Sequence, residues 1–193
     1  MSLTVRPLDL PGVVEVTPRR FGDERGWFAE TWNRTRFADA GLDRDWCQDN
    51  QSMSVEPGTL RGLHYQAPPF AQAKLVRVLA GAVRDVVADV RAGSPTYGKH
   101  VAIELTAEAG NQLLVPVGCL HGFLTLVPNT TVHYKVDAPY SAAHDGAVSW
   151  NDPALGIDWD LGRDGLPDRP ILSGKDAAAP SLADTELLFR YEG

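Results

Sequence analysis

Gly110-Asn-Gln-Leu-Leu-Val-Pro116-Val-Gly118-Cys-Leu-His121 is the stretch on which the fold turns. An apolar run stops at a proline, a glycine follows two residues later, and a second apolar run carries a histidine. Proline fixes φ and lacks an N–H, while glycine reaches backbone angles that other residues avoid. Pro116 and Gly118 therefore read as a sharp corner between two strands, with the second strand taking His121 inward. Taken alone, an inward histidine is more often a hydrogen-bonded core residue than a ligand.

Working outward, the middle of the chain reads as strands. Residues 74–80, Gly81 and residues 82–91 are rich in β-branched side chains and broken by one glycine, which predicts two antiparallel strands round a tight turn. Residues 101–105 follow the turn Gly93-Ser-Pro-Thr-Tyr-Gly98, and residues 112–115 follow the turn Glu108-Ala-Gly-Asn111. Residues 122–127, the Pro128-Asn129 turn and residues 130–136 predict a further hairpin. Turn signals at this spacing indicate a sandwich or barrel and not a βαβ sheet. Asn33 can cap a helix over 34–40 with Gly41 as its left-handed stop. Ser181, with Asp184 three residues on, predicts a second short helix over 181–189. Residues 158–174 are polar and turn-rich and read as loop.

Composition agrees. The 18 glycines and 14 prolines among 193 residues exceed the usual combined share of about 12% and follow no triplet repeat, so they mark turns. Hydrophobic residues at 44% and charged residues at 22% exclude intrinsic disorder. The length fits one domain, residues 1–193. A net charge of −7 argues against a nucleic-acid partner, so any anionic ligand must meet a local basic cluster. Cys47 and Cys119 form neither a disulfide framework nor a metal-type spacing. The N-terminus has no signal-peptide pattern, and no apolar run approaches the roughly 18 residues of a spanning helix. A soluble, cytoplasmic protein with no membrane partner is expected.

The opening stretch matches the second sequence motif of the cupin jelly roll, G-x5-P-x-G-x2-H, with Thr125 in place of the usual following Asn. Metal-binding cupins also need a first motif with His-x-His. Here that place holds Gly62-Leu-His64-Tyr-Gln66, with Gln66 where the second His would be, so two His and a carboxylate are not available from the motif positions. No metal is expected. Around it, Gln48-Asp-Asn-Gln-Ser52 leads into Gly58-Thr-Leu-Arg-Gly-Leu-His-Tyr-Gln66. Arg61 and Lys74 are candidates for phosphate or carboxylate recognition, against the plain alternative of surface charge. The crowding of Arg, His, Gln and Asn among glycines suggests a place where a ligand approaches the backbone.

Arg25-Gly-Trp-Phe-Ala-Glu30, Gln48-Asp-Asn-Gln-Ser52, residues 58–66, Ala73-Lys-Leu-Val-Arg-Val78, residues 116–123, Tyr134-Lys135 and Ile171-Leu-Ser-Gly-Lys-Asp176 together resemble the dTDP-4-dehydrorhamnose 3,5-epimerase family. The resemblance runs in order from about Phe21 to Asp184. It implies an all-β fold, a cupin jelly-roll (double-stranded β-helix barrel) with a few short helices, acting as a homodimer without metal or cofactor. It implies inversion at the carbons flanking the C4 ketone of a dTDP-4-keto-6-deoxyhexose, by proton removal and return on the opposite face. By the same resemblance His64 is the base, Asp176 the carboxylate orienting it, Tyr134 the opposing proton donor and Lys74 the holder of the enolate charge.

Further positions follow from the resemblance. Arg25, Glu30, Gln48, Asn50, Arg61 and His121 contact nucleotide or sugar, Tyr140 stacks on the thymine, and Asp145 and Lys175 touch the substrate. Arg25, Arg61 and Lys175 supply positive charge for the pyrophosphate. The first fifty or so residues contribute to dimerisation and nucleotide binding, and because this segment crosses to the partner subunit in relatives, the resemblance leaves open whether Arg25 and Glu30 serve their own site or the neighbouring subunit's. Trp27 and Trp46 are expected to line the site. Cys47 and Cys119 are expected as small packing residues, while His100, His133 and His144 receive no role. Three alternatives stand beside the double epimerase: a 3- or 5-mono-epimerase, a metal-dependent cupin, and a non-catalytic sugar-nucleotide binding module.

Overall fold

The computed structural model describes residues 3–193. In chain order its elements are β1 (Leu3–Pro7), β2 (Val14–Pro18), β3 (Arg20–Asp23), β4 (Gly26–Ala29), α1 (Arg34–Asp39), β5 (Gln48–Ser54), β6 (Leu60–Gln66) and β7 (Lys74–Ala80). There follow β8 (Ala82–Asp89), β9 (His100–Thr106), β10 (Gln112–Val115), β11 (Cys119–Thr125), β12 (Thr130–Val136), β13 (Asp145–Ala147) and α2 (Gly174–Ala177). A six-stranded sheet runs β1-β2-β10-β7-β12-β5, and a five-stranded sheet runs β13-β6-β11-β8-β9. Strands β3 and β4 form a separate hairpin. This is the expected jelly roll.

The strands of the middle, β7 to β12, fall where the sequence places them, but two expected hairpins do not form. β7 pairs with β10 and β12, whereas β8 pairs with β11 and β9. Gly81, at φ +82°, therefore turns the chain from one sheet to the other. A single residue is shorter than the two-residue loop of the tightest common hairpins, so a corner is the natural outcome. β11 and β12 likewise lie in different sheets. The Pro116–Gly118 corner behaves the same way, passing the chain from β10 in one sheet to β11 in the other.

Three apolar clusters follow from this layering. Side chains alternate along a strand, so β8 sends Val83, Asp85 and Val87 to one face and Val86 and Ala88 to the other. Val83 and Val87 join Val76, Val78, Val132 and Phe123 between the sheets. Val86 and Ala88 join Leu120, Leu124, Trp159 and Phe189 on the outside, beneath the C-terminal third of the chain. β11 is thus buried along its whole length, as a strand covered on both faces must be. A third cluster, with Phe37, Leu42, Leu75 and Leu114, seats α1 against the outer face of the six-stranded sheet.

Asn33 caps α1 by accepting from the Arg36 N–H, and Gly41 adopts φ +73° after it, as expected. The helix expected over 181–189 is absent. Ser181 and Asp184 do exchange the two capping hydrogen bonds, but only a turn forms, with Leu182 N donating to Asp152 and Phe189 O accepting from Ala92. The same Ser-x-x-Asp pattern at Ser173–Asp176 instead starts α2, at the end of the stretch expected as loop over 158–174.

Candidate active site

A bulge builds the site's main wall. His121 pairs in register with His64, and Phe123 with Arg61, so three steps along β6 match two along β11. The extra residue lets Arg61 and His64, which alternation would send to opposite faces, line one cavity. Gly62 makes this possible. It sits at φ +138°, and a Cβ there would lie 2.5 Å from Gly122 Cα. The glycine expected to admit a ligand in fact admits the neighbouring strand, and Gly58 similarly admits Pro167.

The cavity has a volume of about 220 Å³ and is lined by residues of both sheets and of α2. This is small for a ligand pocket, which usually spans about 300–1,000 Å³, and suits a single ring whose remaining substituents lie outside. Arg61, His64, His121 and Phe123 come from the five-stranded sheet, and Ser52, Lys74 and Tyr134 from the six-stranded sheet. His64 and Tyr134 therefore face each other from opposite walls. Lys74 Nζ lies 5.8 Å from the centre of the Tyr134 ring.

His64 Nε2 lies 2.5 Å from Asp176 Oδ1. Ser173 Oγ donates to Asp176 Oδ2 at 2.8 Å and accepts from the Asp176 N–H at 3.1 Å, so the α2 cap also fixes the carboxylate. Burial pushes the Asp176 carboxyl up, but hydrogen bonds from His64 and Ser173 outweigh it and hold the acid below its usual range. Burial pushes the Lys74 ammonium down to about 8, against the opposing pull of Asp145 and Asp85. Burial, reinforced by Asp145, pushes the Tyr134 phenol up and keeps it protonated.

The remaining expected residues divide. Lys175 lines the cavity, and its Nζ lies 2.5 Å from Asp145 Oδ2, which also accepts from Tyr140 OH at 3.3 Å. Gln48 donates to Asn50 and accepts from the Tyr140 N–H, joining these residues at the rim. Arg61 bonds to Ser54 Oγ and Met53 O. Arg25 and Glu30 are not in this chain's cavity. Arg25 pairs with Asp23 at the exposed tip of the β3–β4 hairpin, and Glu30 pairs with Arg36 beside α1.

Trp27 and Trp46 do not line the site either. Trp27 projects from the hairpin with Arg20 over its ring at 3.9 Å, and Trp46 packs with the cluster outside the six-stranded sheet. Cys119 packs in the core, where burial lifts its thiol to about 12, but Cys47 is exposed and fills nothing. His133 turns away from Tyr134 towards Asp49, as alternation requires.

Gln66 is occupied by backbone: it donates to Phe70 O and Pro139 O and accepts from Ser141 N–H. Among the described residues no group of three or more His, Cys, Asp or Glu side chains is placed to hold a metal ion. No helix among them is long and apolar enough to cross a membrane. Sequence reasoning missed Ser173 and Asp85. The Ser-x-x-Asp cap could have revealed the first, and an acid on the apolar alternation Val83-x-Asp85-x-Val87 the second.

The chain is similar in sequence and fold to known proteins. The profile of the dTDP-4-dehydrorhamnose 3,5-epimerase family matches residues 7–184. A dTDP-4-dehydrorhamnose 3,5-epimerase of Sinorhizobium fredii is 50% identical over 188 residues, covering 95% of this chain and 92% of that one. The crystal structure of a Legionella pneumophila dTDP-6-deoxy-D-glucose-3,5-epimerase in complex with dTDP-4-keto-L-rhamnose superposes with a TM-score of 0.92 at 38% identity, covering 100% of both chains. A 3'-monoepimerase from Streptomyces bikiniensis in complex with dTDP-quinovose gives a TM-score of 0.84 at 36% identity, over 92% of this chain and 87% of that one. The chain belongs to the dTDP-4-dehydrorhamnose 3,5-epimerase family.

Proposed function

We propose that this chain converts dTDP-4-dehydro-6-deoxy-D-glucose to dTDP-4-dehydro-L-rhamnose by inverting C3 and C5. A carbonyl makes its neighbouring C–H acidic, because the carbanion delocalises as an enolate. The proton is still more than ~10 pK units weaker as an acid than imidazolium, a gap of over ~14 kcal/mol. A base alone cannot close that gap, so the developing oxyanion needs cationic or hydrogen-bonding support.

His64 takes the proton, with Asp176 orienting the ring and stabilising its cation. Lys74 supports the C4 oxygen. Tyr134, protonated and on the other wall, returns a proton to the opposite face. The observation that carries the reading is the placement of His64 and Tyr134 on facing sheets across a ring-sized cavity. Lys175 and Arg61 supply charge for the pyrophosphate, and Tyr140 with Gln48, Asn50 and Asp145 forms the rim where the thymidine rests.

The protein acts as a cytoplasmic homodimer with no nucleic-acid partner, and needs no cofactor. Arg25 and Glu30 serve the partner's cavity. The exposure of Trp27 (57%) and Phe28 (63%) on the hairpin that carries Arg25 supports this reading, since a second copy would cover them. Incubation with the 4-keto-6-deoxyglucose nucleotide in D2O, followed by NMR of the ring, tests the chemistry. Deuterium at both C3 and C5 is expected. Label at one carbon would make the protein a mono-epimerase, a reading favoured by its likeness to the 3'-monoepimerase. Binding of dTDP with no label would leave only a binding module.

A further inference from the structure

The carboxylate that meets His64 rides on a very short element. α2 spans four residues, Gly174–Ala177. An isolated helix of that length does not hold itself together in water, so the place of Asp176 depends on what fixes the chain on either side. Both sides are tied back to β6, the strand that carries His64.

On the N-terminal side, Ile171 N donates to Gly58 O at 2.8 Å, and Ile171 O accepts from Leu60 N at 2.9 Å, forming a parallel bridge. The Gly58 N–H in turn donates to Thr125 O on β11 at 2.7 Å. Pro167 packs where a side chain at position 58 would stand. A Cβ there would lie 2.6 Å from Pro167 Cδ and closer still to Cγ. On the C-terminal side, Leu182 N donates to Asp152 Oδ2 at 2.7 Å, and Ser149 N donates to Pro180 O at 2.7 Å. Asp152 is buried, and its other oxygen accepts from Ala154 N, so both oxygens serve backbone. Residue 149 follows Val148, which exchanges two backbone hydrogen bonds with Leu63, the neighbour of His64. Gly58, Asp152 and Pro167 all lie outside the cavity lining.

We propose that Gly58 and Asp152 are positioning residues that dock the two ends of the 167–182 segment and thereby set where Asp176 meets His64. This rests on the epimerase reading, in which that contact serves the base. Neither residue touches the substrate; both act through Asp176. Glycine is required at 58 for the room that Pro167 fills. A side chain there would displace the segment by about 1 Å before carbon–carbon contacts became ordinary. Misplacement by about 1 Å, even from a change far from the chemistry, can cost about 100-fold in rate. Asp152 does the matching work at the other end, where loss of its carboxylate would leave the Leu182 N–H without an acceptor.

Gly58→Ala is expected to lower kcat and deuterium exchange about 100-fold while raising KM no more than about threefold. Asp152→Ala is expected to lower kcat about tenfold with the same small change in KM. Removing the ring of Pro167 restores the room, because its Cβ would stand 3.9 Å from a Cβ at 58. The Gly58→Ala/Pro167→Ala protein is therefore expected to recover kcat to within about fivefold of wild type, although it keeps the same positive φ at 58. In an Asp176→Asn background, with deuterium exchange followed over long incubation, Gly58→Ala or Asp152→Ala is expected to cost no more than about threefold further, because residues acting through one group are not additive. A wild-type kcat in Gly58→Ala, a loss confined to KM, failure of the Pro167 substitution to restore turnover, or a full further loss in the Asp176→Asn background would overturn the proposal. If Gly58→Ala does not fold, Asp152→Ala carries the same comparison. Wild-type protein that incorporates no deuterium would instead sink the epimerase reading, whereas an active wild-type enzyme with additive losses would sink this assignment alone.

Discussion

Arg61 and His64 stand three residues apart on one strand and face the same cavity, because Gly62 absorbs an extra residue where β6 meets β11. A Cβ at position 62 would lie 2.5 Å from the backbone of Gly122, where nothing flexible can yield. Gly62→Ala is therefore expected to cost about 3 kcal/mol of stability, read by urea denaturation, and to abolish turnover. Retention of wild-type activity would show that the bulge does not set the wall.

His64→Ala is expected to abolish deuterium exchange into the substrate. Tyr134→Phe should preserve part of the exchange while reducing net inversion by about 10²–10⁴-fold, since removal and return of the proton are separate tasks. Full turnover by the His64 variant would refute the assignment of the base.

Burial holds Lys74 at about 8, so its charge is lost as pH rises through that value. kcat/KM is expected to fall about tenfold per pH unit above this point. The same burial makes the ammonium costly to the fold. Lys74→Met should therefore raise the melting temperature by about 5 °C while eliminating turnover. A variant both inactive and less stable would contradict the second half of this expectation.

Asp89 lies outside the site and governs acid stability. Burial alone would raise its pKa, but Arg91, Ser94 and Thr96 together hold it at about 2, against an ordinary 3.8. A depressed carboxylate stabilises the fold above its unfolded value, and that contribution is lost as pH falls towards the folded one. About 2 kcal/mol should disappear between pH 4 and pH 2. Asp89→Asn should flatten this part of the stability profile, measured by denaturant titration at each pH.

Mixing two inactive variants tests whether the hairpin serves the partner. If Arg25 acts across subunits, an Arg25→Ala protein refolded together with a His64→Ala protein regains activity, because one site of the mixed dimer is intact. If Arg25 acts within its own subunit, the mixture stays inactive.

The strands of the middle and the Pro116–Gly118 corner were legible because β-branched runs and turn residues are local signals. Strand partnership was not. Gly81 reads the same whether the chain folds back on itself or crosses to another sheet, and only the packing of Val83 and Val87 against Val76 and Val78 decides it. β5 escaped notice because Gln48–Ser54 is almost wholly polar, one face meeting the rim and the other solvent. In the site, His64, Lys74, Tyr134 and Asp176 were legible through family motifs rather than spacing. Asp176 reaches His64 from 112 residues away, a closure no local pattern encodes. Asp85 was hidden in plain alternation, one acid among valines.

That long closure has a consequence for synthesis. The ribosome delivers the imidazole first and its carboxylate 112 residues later, on a four-residue helix. A nascent chain whose barrel strands have already emerged still lacks the group that orients its base. Turnover is therefore expected to begin only once synthesis has passed position 176, and products that terminate before it are expected to be catalytically silent even when their strands assemble.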